Sequence, residues 1–308
     1  VQEKRKKPRR IKEETNSFDK VSILPENNPV RAFNPILHAE SNTFFWKGKG
    51  ALSIKTFRHG RAIYQAGRGH FAVGEGSYLL LNQDQEYSIT IEAKAPVESF
   101  CIFFPEKMAE EVYHSLLASH EQLLDEPGLP KLMSVEFVEK TYGDQWLAST
   151  ISEIKTVYTN RQVERMWLEE RLYELAQGLL ETHRQVHTEM SKLQSLKVST
   201  QMELYKRLNI GHEFISAYFD QPIGLGDIAK AACLSTNHFL RSYKQLFGVS
   251  PHQYLIEKRL QESKRLLLTT NQSVTDICLQ IGFQSPGSFS SLFSRRFSTS
   301  PSRFRQNR

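Results

Sequence analysis

The last third of the chain repeats itself, and the repeat restricts the possible folds more than any other feature. Leu225–Ser235 (LGDIAKAACLS) aligns with Val274–Ser285 (VTDICLQIGFQS), so that Asp227 and Asp276 stand forty-nine residues apart, as do Ile228 and Ile277. After a slip of one residue the offset is fifty. It pairs Phe239 with Phe289, Tyr243 with Phe293, Phe247 with Phe297, Pro251 with Pro301 and Tyr254 with Phe304. Matches at seven positions with a single slip mark an internal structural repeat. Whatever this region does, it does with two copies of one supersecondary unit.

Each unit reads as a short helix, a tight turn and a second helix. In the first, Leu225, Ile228, Ala229 and Ala232 make an apolar stripe, and CLST turns the chain. Ser235 or Thr236 can cap the next helix by accepting a backbone N–H bond. That helix directs Phe239, Tyr243 and Phe247 inward at i, i+4 and i+8, leaving Asn237, Arg241 and Lys244 outward with Leu240 at the border. In the second unit Ser285 can cap, Pro286 suits the first helical position, and Phe289, Phe293 and Phe297 face inward. Its outer face carries Ser288, Ser291 and Arg295, with Ser290 and Ser294 beside them.

A helix-turn-helix with a polar, basic second helix can enter the DNA major groove. Arginine can fork onto guanine and asparagine onto adenine, whereas lysine is suited to neutralising phosphate. The candidate base contacts are therefore Thr236, Asn237, Leu240 and Arg241 in the first unit and Ser288 and Ser291 in the second. The candidate phosphate contacts are Lys244, Ser285, Gly287, Arg295 and Arg296. Serine hydroxyls discriminate weakly, so the first unit is expected to carry more of the base readout. Between the units, Pro251 opens a helix of about fifteen residues, about 22 Å long. Its stripe is Leu255, Arg259/Leu260, Ser263, Leu266 and Leu267. Such a helix can hold two recognition helices about one DNA turn apart, about 34 Å. Upstream, YKRLNIGHEFISAYFDQPIG reads as an amphipathic helix that closes the first core and ends near Pro222.

The succession DIAKAA, STNHFLRSYK, FGVSPHQY, Arg259 followed by Leu267-Leu268, VTDICLQIGF and SPSRFR resembles the AraC/XylS family of bacterial transcription regulators over residues 203 to 306. The lead-in VSTQMELYKRL is similar to that of some members. The resemblance implies sequence-specific promoter binding, usually to activate transcription, with RNA polymerase as a partner of an activator. Two positions depart from the pattern. Ser291 stands where many members carry Arg, and Ser298 stands where Gly is usual. The first reduces expected base readout by the second unit, and the second predicts a different helix end.

Charge follows the same division. Net charge is +6, but residues 205–308 carry +8 and residues 1–10 carry +5, leaving −7 between them. A basic domain attached to a neutral or acidic one is the electrostatic footprint of a nucleic-acid binder. The KRKKPRR run can add nonspecific phosphate attraction. Residues 30 to 104 hold short apolar or alternating runs (FFWKGKGALSIKTF, RAIYQAG, HFAVGEGSYLLLN, YSITIEA, VESFCIFF) between Gly, Asn, Asp and Pro signals. That spacing predicts a small sandwich or barrel. It is similar to the cupin-like effector domain that many members of the family carry, with Gly74-Glu75-Gly76-Ser77 near the glycine-acid turn. Trp46, Phe57, Tyr64, Phe71, Tyr78 and Tyr87 are candidates to line its interior; which of them meet an effector is unknown.

From 105 the period becomes helical, and a long amphipathic helix is predicted from about Gln162 to Lys192. Its Leu168, Leu172, Leu175 and Leu179 can bury against their own domain or against a second subunit in a homodimer.

Enzyme signatures are sparse. The stretch where a metal cupin would place His-x-His reads NQDQEYSI. His59 and His70 stand singly in loop-like settings, and His183 and His187 have ligand spacing on a helix without an identifiable third ligand. No phosphate loop, nucleophile elbow or dinucleotide fingerprint occurs. No cofactor or metal is expected; the alternative is a cupin-type metal enzyme with an accessory DNA-binding domain. Cys101, Cys233 and Cys278 are scattered and read as small buried hydrophobes of a reducing compartment. No membrane-spanning run or secretory signal is visible, so a cytoplasmic, nucleoid-associated protein is expected.

The expected fold class is α+β, with an N-terminal cupin-like small β-barrel/sandwich, a helical connector, and a C-terminal all-α domain of two helix-turn-helix units joined by a linker helix. The expected boundaries are 1–25 (disordered basic tail), 26–125 (sensor/effector domain), 126–202 (helical connector and dimerisation region) and 203–308 (DNA-binding domain).

Overall fold

The computed structural model describes residues 35–117, 135–161, 163–193 and 197–306. The basic N-terminal run lies outside these residues. Short alternating runs become seven antiparallel strands: β1 (Ile36–Gly50), β2 (Ser53–Arg58), β3 (Arg61–Ala66), β4 (Gly69–Gly74), β5 (Tyr78–Leu81), β6 (Gln85–Phe103) and β7 (Thr141–Tyr142). The order is β4-β3-β6-β2-β5-β7, with β1 also on β6.

The nineteen-residue β6 organises the sheet. Its first part pairs with β3 (Tyr64↔Ile89) and its last part with β2 (Ile54↔Ile102). β1 runs along the other side of both parts, with a register shift between Ser41 and Thr43. One strand serving two successive partners bends the sheet into a nearly closed, cupin-like barrel.

Strand alternation splits the apolar residues into two cores. Phe57, Tyr64, Phe71, Val73, Tyr87 and Ile89 fill the barrel interior. Ile54, Leu80, Phe100 and Ile102 point outward and are covered by α1 (Met108–Leu117), α2 (Gln145–Thr159) and α3 (Arg165–Met190). The leucine stripe of α3 is used in that cover: Leu172, Leu175 and Leu179 are buried there and Leu168 packs beside them. Of the two possibilities open for this stripe, burial against its own domain is the one observed. The core on the outer face of the barrel thus draws on residues past 125, where the sequence suggested a boundary.

The described residues after α3 form further helices: α4 (Val198–Tyr218), α5 (Leu225–Ala231), α6 (Thr236–Phe247), α7 (Pro251–Thr269), α8 (Val274–Gln280), α9 (Pro286–Phe297) and α10 (Pro301–Gln306). α7 has nineteen residues, about 28 Å, rather than about fifteen. Two further cores result. The first joins the end of α3 (Val186, Met190) to α4, α5, α6 and the start of α7; the second joins the rest of α7 to α8 and α9.

Helix α4 also docks on the barrel. Tyr218 Oη bonds His70 Nδ1 at 2.9 Å, Arg61 pairs with Asp220 at 3.0 Å, and Thr141 N and Oγ1 both donate to the buried Glu213 at 2.8 Å. Lys140 Nζ adds bonds of 2.9 Å to Glu189 and to Tyr205. His70 therefore lies in a strand at a packed junction, not in a loop, and burial lowers its pKa.

Candidate nucleic-acid interface

The repeat folds twice in the same way. In each unit the turn between the short helices passes through the left-handed region, at Cys233 (φ 52°) and at Gly282 (φ 87°). Each turn closes with the same backbone bond, Leu234 N to Ala229 O and Phe283 N to Cys278 O, both 3.0 Å. The extra residue of the second unit is Gln284, which follows that bond and leaves the turn unaltered. Cys233 is exposed, correcting the expectation that all three cysteines are buried. Its left-handed backbone turns the side chain outward, where Arg68 Nη1 approaches Sγ to 3.0 Å.

Ser235, not Thr236, caps α6, accepting from His238 N at 3.4 Å; Ser285 caps α9 identically through Ser288 N. Each serine keeps its hydroxyl proton. Phe239 and Phe289 are fully buried, as are Tyr243 and Phe293. A Cβ on Gly211 would stand 2.5 Å from the Phe239 ring, so α4 needs glycine there for α6 to pack. His212 anchors the first unit further. Its Nδ1 bonds Tyr243 Oη at 2.9 Å, and its ring stacks on Phe247 and Tyr254 at centroid distances of 4.4 and 4.1 Å. Burial, with Lys258 and Lys140 nearby, pushes its pKa down to about 3, so the ring is neutral.

This anchoring leaves the predicted faces free. Thr236, Asn237, Leu240, Arg241 and Lys244 on α6 are exposed, and so are Gly287, Ser288, Ser291 and Arg295 on α9, with the cap Ser285. Ser290 and Ser294 are half-buried at the edge. His238, exposed on the first turn of α6, belongs to the same face and was not singled out by the sequence. Arg296 differs from its neighbour. It grips Glu257 of α7 through Nε and Nη2, both at 2.9 Å, and holds that carboxylate below its usual range. A phosphate would have to compete with Glu257 for it.

Helices α6 and α9 end alike. Gly248 (φ 74°) and Ser298 (φ 59°) are both left-handed, so the missing glycine does not alter the helix end, contrary to expectation. Serine takes the glycine conformation at a cost of about 1–2 kcal/mol.

In the barrel, Phe57, Tyr64, Phe71 and Tyr87 face the interior and Trp46 packs against them. Tyr78 does not: it faces the helices, stacks on Tyr142 at 5.5 Å and donates to Asp144. The interior residue missed from sequence is Lys55, 2% exposed, its Nζ 3.9 Å above the Phe103 ring. His183 is half-buried against Phe137 rather than solvated, while His187 is exposed. Among the described residues, no three of His, Cys, Asp and Glu gather in a way that could hold a metal ion, and no helix is long and apolar enough to cross a membrane.

Comparison with known proteins places residues 228–307 in a helix-turn-helix domain family and residues 37–176 in the AraC-like ligand binding domain family. The HTH-type transcriptional activator RhaS of Enterobacter sp. (strain 638) is 32% identical over 190 residues, 59% of this chain and 64% of that one. The lactose operon transcription activator of Staphylococcus xylosus is 30% identical over 95 residues, 31% of this chain and 34% of that one. The chain thus matches less than two thirds of the length of these relatives. The DNA-binding domain of AdpA, solved with a target DNA, is 28% identical with a TM-score of 0.32, covering 33% of this chain and 91% of that structure.

Proposed function

We propose that the chain is a member of the AraC/XylS family and a sequence-specific DNA-binding transcription regulator, an activator that inserts α6 and α9 into successive major grooves of one duplex; its matches to a helix-turn-helix family, to the AraC-like ligand binding domain family and to RhaS support this. The observation that carries this reading is the pair of serine-capped helices, each anchored by buried aromatics and each exposing its polar face. Thr236, Asn237, Leu240 and Arg241 read bases, with a smaller share from Ser288 and Ser291. Lys244, Ser285, Gly287, Arg295 and Arg296 hold the backbone, which positions without specifying.

The barrel responds to a signal, a small-molecule effector or a second copy of the chain, and passes it to the DNA-binding units through α4. Its match to a ligand-binding domain family supports that role. RNA polymerase is the partner of the activator, the protein works in the cytoplasm, and it is no enzyme. The named activators among its relatives favour this over a metal enzyme with an accessory DNA-binding domain.

The test is selection from random-sequence duplex DNA by the full chain. The selected site should be preferred over random duplex at fixed salt by a factor of about 10³ or more. Equal affinity for both would leave an architectural DNA binder instead.

A further inference from the structure

The two helix-turn-helix units have separate apolar cores on one helix. The start of α7 gives Leu255 and Tyr254 to the first core, and the rest gives Leu260, Leu266 and Leu267 to the second. Between them stands Arg259, only 8% exposed. Its Nε donates to Phe219 O at 2.7 Å and its Nη2 to Gln221 O at 2.9 Å. These carbonyls lie at and just past the end of α4, where a helix leaves acceptors unsatisfied and carries partial negative charge.

The other side of the same guanidinium meets the second unit. It lies 5.6 Å from the ring centroid of Phe283, and a Cβ on Gly282 would come within 2.8 Å of Nη2 and 2.9 Å of Asp220 O. The turn of the second unit is therefore pressed onto an arginine already bonded to the backbone of the first. A shared helix limits how far apart two cores can move, but not how each rolls on its side chains. A planar fork bonded on one side and stacked on the other removes that freedom; a lysine, with one compact charge, cannot replace it.

We propose that Arg259 is a positioning residue that fixes the angle and separation of α6 and α9, and thereby the spacing between the two DNA half-sites that one chain accepts. The proposal rests on the reading of the protein as a DNA-binding regulator. Adjacent spacings differ by about 3.4 Å along the duplex and by about 34° around it, so a joint that both shifts and rolls is needed to admit them.

The test uses the full chain and a duplex library in which the two half-sites selected by the unaltered protein are separated by spacers of varied length. The unaltered protein should enrich one spacing. R259K and R259A should keep both half-site sequences, accept spacings one base pair shorter and longer, and lose about tenfold in affinity at the original spacing. A second readout needs no DNA. With the native cysteines replaced, spin labels at the exposed positions Lys230 and Gln280 should give a narrow distance distribution that broadens in R259K. Should R259A not fold, R259K carries both comparisons. A folded R259K with unaltered spacing preference and unbroadened distances would overturn the proposal. If the unaltered protein enriched no paired half-sites, the reading of α6 and α9 as a pair in successive grooves would fall, and the spin-label comparison would still judge the joint.

Discussion

Arg241 and Lys244 lie three residues apart on the exposed face of α6, but the loss of each should show differently. A guanidinium that forks onto a base edge discriminates. Arg241→Ala should relax preference at one base position, with about 1–3 kcal/mol lost against the correct base. Lys244→Ala should leave preference intact and lower the slope of log affinity against log salt by about 1. Titrations of the selected site and its single-base variants over a salt series separate the two. Equal weakening of every sequence by Arg241→Ala would make Arg241 a backbone contact. In the barrel, Lys55 sits against Phe103 and Tyr87, and burial lowers its pKa, opposed by the nearby Cys101. The unfolded chain then holds the proton to higher pH than the folded one, so stability rises as pH climbs towards the ordinary lysine value. Lys55→Met should be the more stable protein at about pH 7, by about 1–3 kcal/mol, and its advantage should shrink at about pH 9.5. Melting curves at the two pH values check this; a constant gap would mean that the buried amine keeps its proton in the folded chain over the whole range.

Helix ends decide the behaviour of the elements. Ser298 occupies a left-handed position that Gly248 fills in the first unit. Ser298→Gly should stabilise the second unit by about 1 kcal/mol, slowing hydrogen exchange of the α9 amides about fivefold if they exchange by opening of that unit. Unchanged exchange would show that α9 opens without its C-terminal turn. Much at this scale was legible in the sequence. The aromatic spacing of Phe239, Tyr243 and Phe247, the serine caps and the proline starts are local signals, and local signals set helix existence and facing. What escaped depended on distant partners or on which face of a strand is inside. Arg296 and Glu257 meet across thirty-nine residues. The alternation in β2 puts Lys55 and Phe57 on one face, but it does not say that this face is the barrel interior. The leucine stripe of α3 was equally suited to two partners until the outer face of the barrel was seen to cover it. At the recognition face, exposure and residue type could be read, because they follow from helical period. Division of labour between bases and phosphates could not, because it depends on where a duplex lies.

At the scale of the molecule, the first helix-turn-helix unit shares its core with the end of α3 and is tied to the barrel through His70, Arg61 and Thr141, whereas the second keeps a core of its own. Native-state hydrogen exchange should therefore find α8 and α9 opening as a separate, less protected unit than α4 and α6. Identical opening free energies in all four helices would show instead that α7 transmits stability fully between the units.

The shared first core has a consequence for anyone building chimaeras from chains of this architecture. A cut near residue 203, where sequence places the start of the DNA-binding domain, severs α4 and divides Met190 and Leu193 from Leu208 and Ile215, which pack together in one cluster. A hybrid joined there inherits a mismatched interior. A crossover within α7, beyond Leu255, exchanges only the second helix-turn-helix unit and leaves the barrel joined to the unit that packs against it.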